Sequence, residues 1–290
     1  RFGYLEGIED VVPKRRIELT PYLAGNAFSP ATVESENPFV DNMNYDVRVG
    51  GDVKLGLGPN LTLDATVNPD FGQVEADPAV VNLSAFEVIF AERRPFFNEG
   101  SQLFDSRGAE YFYSRRIGAR PTLRTDADFD DISNFTSIIG ASKLTGRLPS
   151  GLSIGALFAA TSQEEAKTFT QSTDPTVNRF GSEIVEPRAA YGVLRLQQEF
   201  GRDASTAGII LTGVNRNNEA NPELREFLTD EAYSGGVDWD LRFQGGKYTI
   251  SGDVGFSHIE GSEEVLTRIQ RRSARFYQRP DADYVRVDSS

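Results

Sequence analysis

Residues 45–57 read YDVRVGGDVKLGL: every odd-numbered position is apolar, aromatic or glycine, while the even-numbered ones include Asp46, Arg48, Asp52 and Lys54. Side chains alternate across a strand, so the pattern predicts one greasy face and one ionic face. At about 3.4 Å per residue the strand would run roughly 40 Å, well beyond the usual five or six residues, about 20 Å, of a globular strand. Residues 61–68 repeat the pattern, with Leu61, Leu63, Ala65 and Val67 against Thr62, Asp64, Thr66 and Asn68. Only Gly58, Pro59 and Asn60 separate the two, residue types that favour a tight turn.

Further hairpins follow. Segments 136–147 and 151–161 join through Leu148, Pro149 and Ser150, and segments 189–200 and 205–216 join around residues 201–204. In the last pair, Val237, Trp239, Leu241 and Phe243 oppose Asp238, Asp240, Arg242 and Gln244, and Gly245-Gly246 reads as a two-residue turn. A first strand at 16–25 and a last one at 282–288 bring the number to about ten. The other connections, at 26–44, 69–135, 162–188, 217–234 and 260–281, are long and polar. All the short turns therefore fall on one rim, the asymmetry of an outer-membrane barrel. Phe200, Phe243 and Tyr248 sit near that rim on the apolar side, where an interfacial aromatic belt belongs, and Tyr45 and Phe158 suit the opposite belt. The expected fold is all-β: an antiparallel up-and-down transmembrane β-barrel with a long, partly helical insert at 69–135.

Composition narrows this reading without deciding it. No run approaches the eighteen or so apolar residues of a helical span, which excludes a helical membrane protein. Barrel strands escape that test because half of each faces water. A net charge of -13 argues against a nucleic-acid partner. With no cysteine there is no disulfide framework and no thiolate chemistry. The chain opens at Arg1 without methionine or signal peptide, so a mature form or an excised piece is expected. It ends without a terminal aromatic strand, so more strands are expected beyond it.

The insert is too long for a structureless loop. Asn82 or Ser84 is placed to cap a helix running through Phe86, Val88, Ile89 and Phe90 to Arg93 and Arg94, with Pro95 as its stop. Residues 109–118 read as a strand or an extended element. Inward folding would place the insert in the lumen, against itself or against Leu157 and Val193; a cap outside the barrel is the alternative.

Candidate lumen-lining residues are Asp46, Arg48, Asp52, Lys54, Arg195, Glu199, Asp238, Asp240 and Arg242, with ion pairing across strands as their other role. Within the insert, Glu75 and Asp77, with Asp70 nearby, are the carboxylates closest to a glycosidase-like pair, while Arg93 and Arg94 are placed to bridge to those acids. Structural roles are preferred for all five. Asp126, Asp128, Asp130 and Asp131 imitate the opening of a calcium loop but lack its glycine and terminal glutamate, so no metal site is expected. His258 is alone, and neither a nucleophile elbow nor a zinc motif occurs. No catalytic residue and no cofactor are assigned.

At residues 60–98, NLTLDATVNPDFGQVEADPAVVNLSAFEVIFAERRPFF, the chain resembles a family of uncharacterised bacterial proteins. Supporting stretches in the same order are GIEDVVPKRRIELTPYLAG at 7–25, YSRRIGARP at 113–121, GASKLTGR at 140–147 and ARFYQRPDADYV at 274–285. Members typically join a domain like a family-nine carbohydrate-binding module to a C-terminal outer-membrane-type barrel. The resemblance implies the first part of that barrel and brings no catalytic residues, although some members are labelled hydrolases. The expected protein lies in the cell outer membrane, with lipid as a partner, and passes or binds a small solute, a carbohydrate being one candidate. The alternatives are a membrane-anchored hydrolase with its site in the insert or outer loops, and a soluble β-rich binding module.

Overall fold

The computed structural model describes residues 16–28, 37–40, 44–69, 86, 88–171, 179–281 and 283–288. Within them lie twelve strands: β1 Ile17–Phe28, β2 Asn44–Leu57, β3 Leu61–Val67, β4 Phe129–Asp131, β5 Ile138–Arg147, β6 Leu152–Thr161, β7 Glu164–Phe169, β8 Phe180–Glu186, β9 Ala189–Phe200, β10 Ser205–Arg216, β11 Glu231–Phe243 and β12 Tyr248–Glu260. Helices are short: α1 Pro95–Asn98, α2 Leu224–Phe227 and α3 Glu263–Arg271.

Nine strands form one antiparallel sheet in the order β1-β2-β3-β5-β6-β9-β10-β11-β12. The register carries the sequence alternation straight across it. Ile17, Leu55, Leu63, Leu144, Ala156, Leu194, Leu211, Gly235 and Phe256 align as one row, a residue from each strand. The adjacent row, on the opposite face, is Glu18, Lys54, Asp64, Lys143, Leu157, Val193, Thr212, Ser234 and Ser257. Its first four members alternate in sign, the favourable arrangement for cross-strand neighbours.

Burial is inverted relative to a water-soluble sheet. On the apolar face Leu23, Val47, Val49 and Val254 are 66–73% exposed, whereas Lys143, Arg195 and Asp238 on the ionic face are 1%, 2% and 4% exposed. What covers the ionic face is the insert. Phe97, Phe104 and Ile117 meet Ile138, Ala141, Leu157, Ala159 and Val193 in the main core. A second, smaller cluster of Leu123, Ala166, Val185 and Leu224 supports a separate three-stranded sheet, β4-β7-β8.

Several expectations change. The sheet is open: β1 and β12 stand at its two ends, and no ladder among the described residues joins them. Residues 283–288 form no strand; the backbone of Asp288 is held instead by the Gln270 side chain, its N–H lying 2.7 Å from Oε1. Pro95 starts a helix rather than ending one, and residues 88–94 before it are non-helical. Proline suits that first position, since its fixed φ is already helical and its missing N–H would have had no partner. Residues 110–113 join no ladder and lead into a 3-10 turn at Ser114–Arg116. The last hairpin turns through four residues, Gln244–Lys247, rather than two. Gln244, Gly245 and Gly246 all have positive φ there, which the glycine pair adopts without strain. The supposedly polar connections also hold β7, β8, α2, α3 and the start of β11, elements whose apolar positions are too few and too local to read as a repeat.

Candidate functional site

The ionic face and the insert across it form the main polar constellation. The insert meets the sheet first at β2, β3 and β5. Lys54 Nζ is 2.6 Å from Glu99 Oε1 and 3.5 Å from Asp64 Oδ1. Lys143, nearly fully buried, donates to the carbonyls of Phe96 and Glu99, each 2.5 Å away, and stands 4.0 Å from Asp64. These carbonyls lie at the end of a one-turn helix, where helical partners run out, so the lysine supplies the donors the backbone lacks. The hydrogen bond from Lys54 holds the Glu99 carboxyl below the usual carboxylate range, against the opposing effect of its partial burial.

The insert is braced internally by Arg94, which β-strand alternation does not govern. Its Nη1 donates to Ile117 O at 2.6 Å, and its Nη2 to Ser114 O at 2.8 Å and to Glu92 Oε2 at 2.7 Å. The guanidinium also lies 4.2 Å above the Phe97 ring. Burial alone would raise the Glu92 carboxyl, but hydrogen bonds from Arg94 and Ser114 outweigh it and leave the group below the usual range. Two segments far apart in sequence are thereby locked into one unit.

From there the insert crosses to the far strands. Leu103 and Phe104 press on Gly155 of β6, and Arg107 pairs with Asp240 of β11. The Tyr111 hydroxyl lies so close to Gly236 and Gly255 that a Cβ at either would collide with it. Beneath this crossing, Arg195 and Asp238 form a buried two-pronged pair at 2.6 and 3.0 Å. The guanidinium reaches across Gly208, where a Cβ would lie only 2.6 Å from Nη1. Asp240 is also bonded by Arg242 Nε at 3.0 Å.

The remaining sequence candidates are scattered along the same face. Arg48 stacks 4.4 Å over the Phe135 ring, Asp52 is exposed opposite Thr20 and Thr66, and Glu199 pairs with Arg147 at 2.9 Å beside the short-turn rim. Asp46 lies within β2, its backbone in register with Asn26 of β1. Arg93 is exposed in the non-helical lead to α1, its backbone N–H 3.0 Å from Glu92 Oε1. Asp70, Glu75 and Asp77 lie outside the described residues. Three of the four aspartates at 126–131 serve the small sheet: Asp128 accepts from Gln171 N, Asp130 from Thr125, and Asp131 pairs with Lys167. His258 Nε2 is 2.8 Å from Glu260 Oε1 on the exposed face. Among the described residues, no three metal-capable side chains gather.

Asp64, Glu92, Glu99, Arg107 and Lys143 were missed as site residues. Asp64 and Lys143 carried a signal, since both sit on polar positions of recognisable strands. The three insert residues carried none, because their roles depend on where the insert crosses the sheet. The arrangement is chemically a wall of paired charges and hydroxyls. A family model described as a domain of unknown function (DUF5916) matches residues 13–276. No curated protein matches the chain.

Proposed function

Because the chain belongs to this DUF5916 family of unknown function, its role has to be read from its own two faces, and we propose that it is part of an outer-membrane β-barrel serving solute passage or surface binding. The observation that carries the reading is the inverted burial. Nine aligned strands expose a continuous apolar face, and their charged residues, apart from Glu231 and Glu260 at its long-loop edge, lie on the side that the insert crosses. A water-soluble protein rarely exposes a contiguous apolar patch larger than a few hundred Å²; lipid is the environment that makes such a face favourable. The ionic face is then the lumen wall and the insert its plug. A carbohydrate is the solute class implied by the sequence resemblance.

In lipid, the open edges of β1 and β12 would leave backbone groups unpaired at several kcal/mol each. The reading therefore requires additional strands to complete the ring.

The absence of cysteine permits single-cysteine labelling. In reconstituted vesicles, dyes at Val49→Cys, Leu211→Cys and Val254→Cys should be quenched by lipids brominated in the acyl chain, and dyes at Thr66→Cys and Thr212→Cys should not. A chain that stays dissolved without detergent and shows no such quenching would overturn the proposal in favour of a soluble binding module.

A further inference from the structure

Residues 268–279, RIQRRSARFYQR, hold five arginines and no acidic residue in a chain of net charge -13. They begin in α3 and continue into the turns after it. The element is not a loose tail. Ser262 caps α3 by accepting from Val265 N, and its hydroxyl donates to Arg225 O of α2 at 2.7 Å. Beyond the helix, Arg275 N and Phe276 N donate to Arg272 O at 2.9 and 2.8 Å, and Tyr277 N returns to Gln270 O at 3.0 Å.

Two of the five arginines are engaged within the protein: Arg268 lies 4.0 Å over the Phe227 ring and Arg279 pairs with Asp281 at 2.6 Å. Arg271, Arg272 and Arg275 are exposed and make no ion pair among the described residues. Phe276, also exposed, lies directly beside them in the chain.

Position gives this patch its meaning. β12 runs from the short turn at residues 244–247 to Glu260, and α3 begins three residues later, so the arginines stand at the long-loop rim of the sheet. There the exposed apolar face gives way to Tyr233 and His258, register partners on β11 and β12 whose side chains are tied to Glu231 and Glu260 at the strand ends. With those two carboxylates occupied by Tyr233 and His258, an aromatic edge followed by exposed arginines remains, and an apolar band bordered in that way is the profile of a membrane interface.

We propose that Arg271, Arg272 and Arg275 form a docking surface for the phosphate groups of anionic lipid headgroups at this rim. Guanidinium groups suit phosphate because their planar fork bonds two oxygens at once. The otherwise acidic surface favours phosphate only at such a local excess of positive charge. The inference rests on the barrel reading, since only that reading brings the rim to a lipid headgroup layer.

The test uses the chain reconstituted in phosphatidylcholine vesicles, with a bimane dye on Ser273→Cys and spin-labelled headgroup lipids as quenchers. Spin-labelled phosphatidylglycerol should quench at least about fivefold more effectively than spin-labelled phosphatidylcholine, the scale of one basic residue near an anionic surface. Arg271→Gln, Arg272→Gln and Arg275→Gln together should abolish the preference, as should high salt. Equal quenching by the two lipids, or a preference that survives the triple substitution, overturns the inference. Loss of the preference on adding millimolar inorganic phosphate at constant ionic strength would mark a free-phosphate site and overturn it as well. A second dye, at Val254→Cys, separates the two readings. If acyl-chain quenching there persists while headgroup preference is absent, only the headgroup inference falls; if it too is absent, both fall.

Discussion

The buried Arg195–Asp238 pair is where a single side chain matters most, because both partners are out of water and each neutralises the other. Removing one leaves a stranded charge, so Arg195→Met or Asp238→Leu should cost about 3–5 kcal/mol, while the double substitution should recover most of it. Urea unfolding in detergent micelles would measure the coupling. Gly208→Val should resemble the single losses, since the added side chain would occupy the path of the guanidinium. Two carboxylates predict opposite pH trends. Glu92 is held below its unfolded value, so its contribution is present above the ordinary carboxylate range and disappears as pH falls through its folded value. Glu186 is raised, chiefly by burial and despite the bond from Thr122, so it favours folding at low pH and penalises it as pH rises. Glu186→Gln keeps the acceptor for Thr122 N–H and should raise stability at pH 7, whereas Glu92→Gln should lower it; thermal melts across pH 3–8 would separate them. Stability at neutral pH unchanged in both would defeat this account.

At the scale of elements, the insert behaves as one clamped unit because Arg94 ties residue 92 to residues 114 and 117, while Lys143 ties α1 to the sheet. Arg94→Ala removes at least four hydrogen bonds from a mostly buried guanidinium and should make residues 88–128 the first site of proteolytic nicking, with cleavage at least about tenfold faster, an opening cost of at least about 1.4 kcal/mol. Lys143→Met should act in the same direction by leaving the Phe96 and Glu99 carbonyls without their donor. Cleavage unchanged in both variants would mean that the apolar contacts of Phe97 and Phe104 hold the insert without help. The start of α1 illustrates the ambiguity of local signals: a proline marks a helix end from one side and a helix beginning from the other. Only the turn that follows decides which.

For the whole molecule, the question is whether the insert fills a lumen. If it does, replacing residues 94–117 by a short Gly-Ser linker should raise single-channel conductance in planar bilayers severalfold over the parent chain. Unchanged conductance in a variant that still inserts would place the segment outside the conducting path.

The long alternating strands were legible from sequence because a period of two fixes which residues share a face, whatever lies opposite. Strands β9 and β10 fall at the positions that alternation alone indicates, and β2, β3, β5 and β6 fall within two residues of theirs. That Arg195, Asp238 and Asp240 share the ionic face was legible for the same reason. Tertiary structure alone decided what lies on the ionic face: that Glu99 meets Lys54, that Arg107 crosses to Asp240, and that Arg195 chooses Asp238. It also decided that residues 283–288 form no strand and that Asp288 is held by Gln270 of α3. Those outcomes depend on contacts between segments 18 to 133 residues apart, and no periodicity encodes which distant group a side chain will meet.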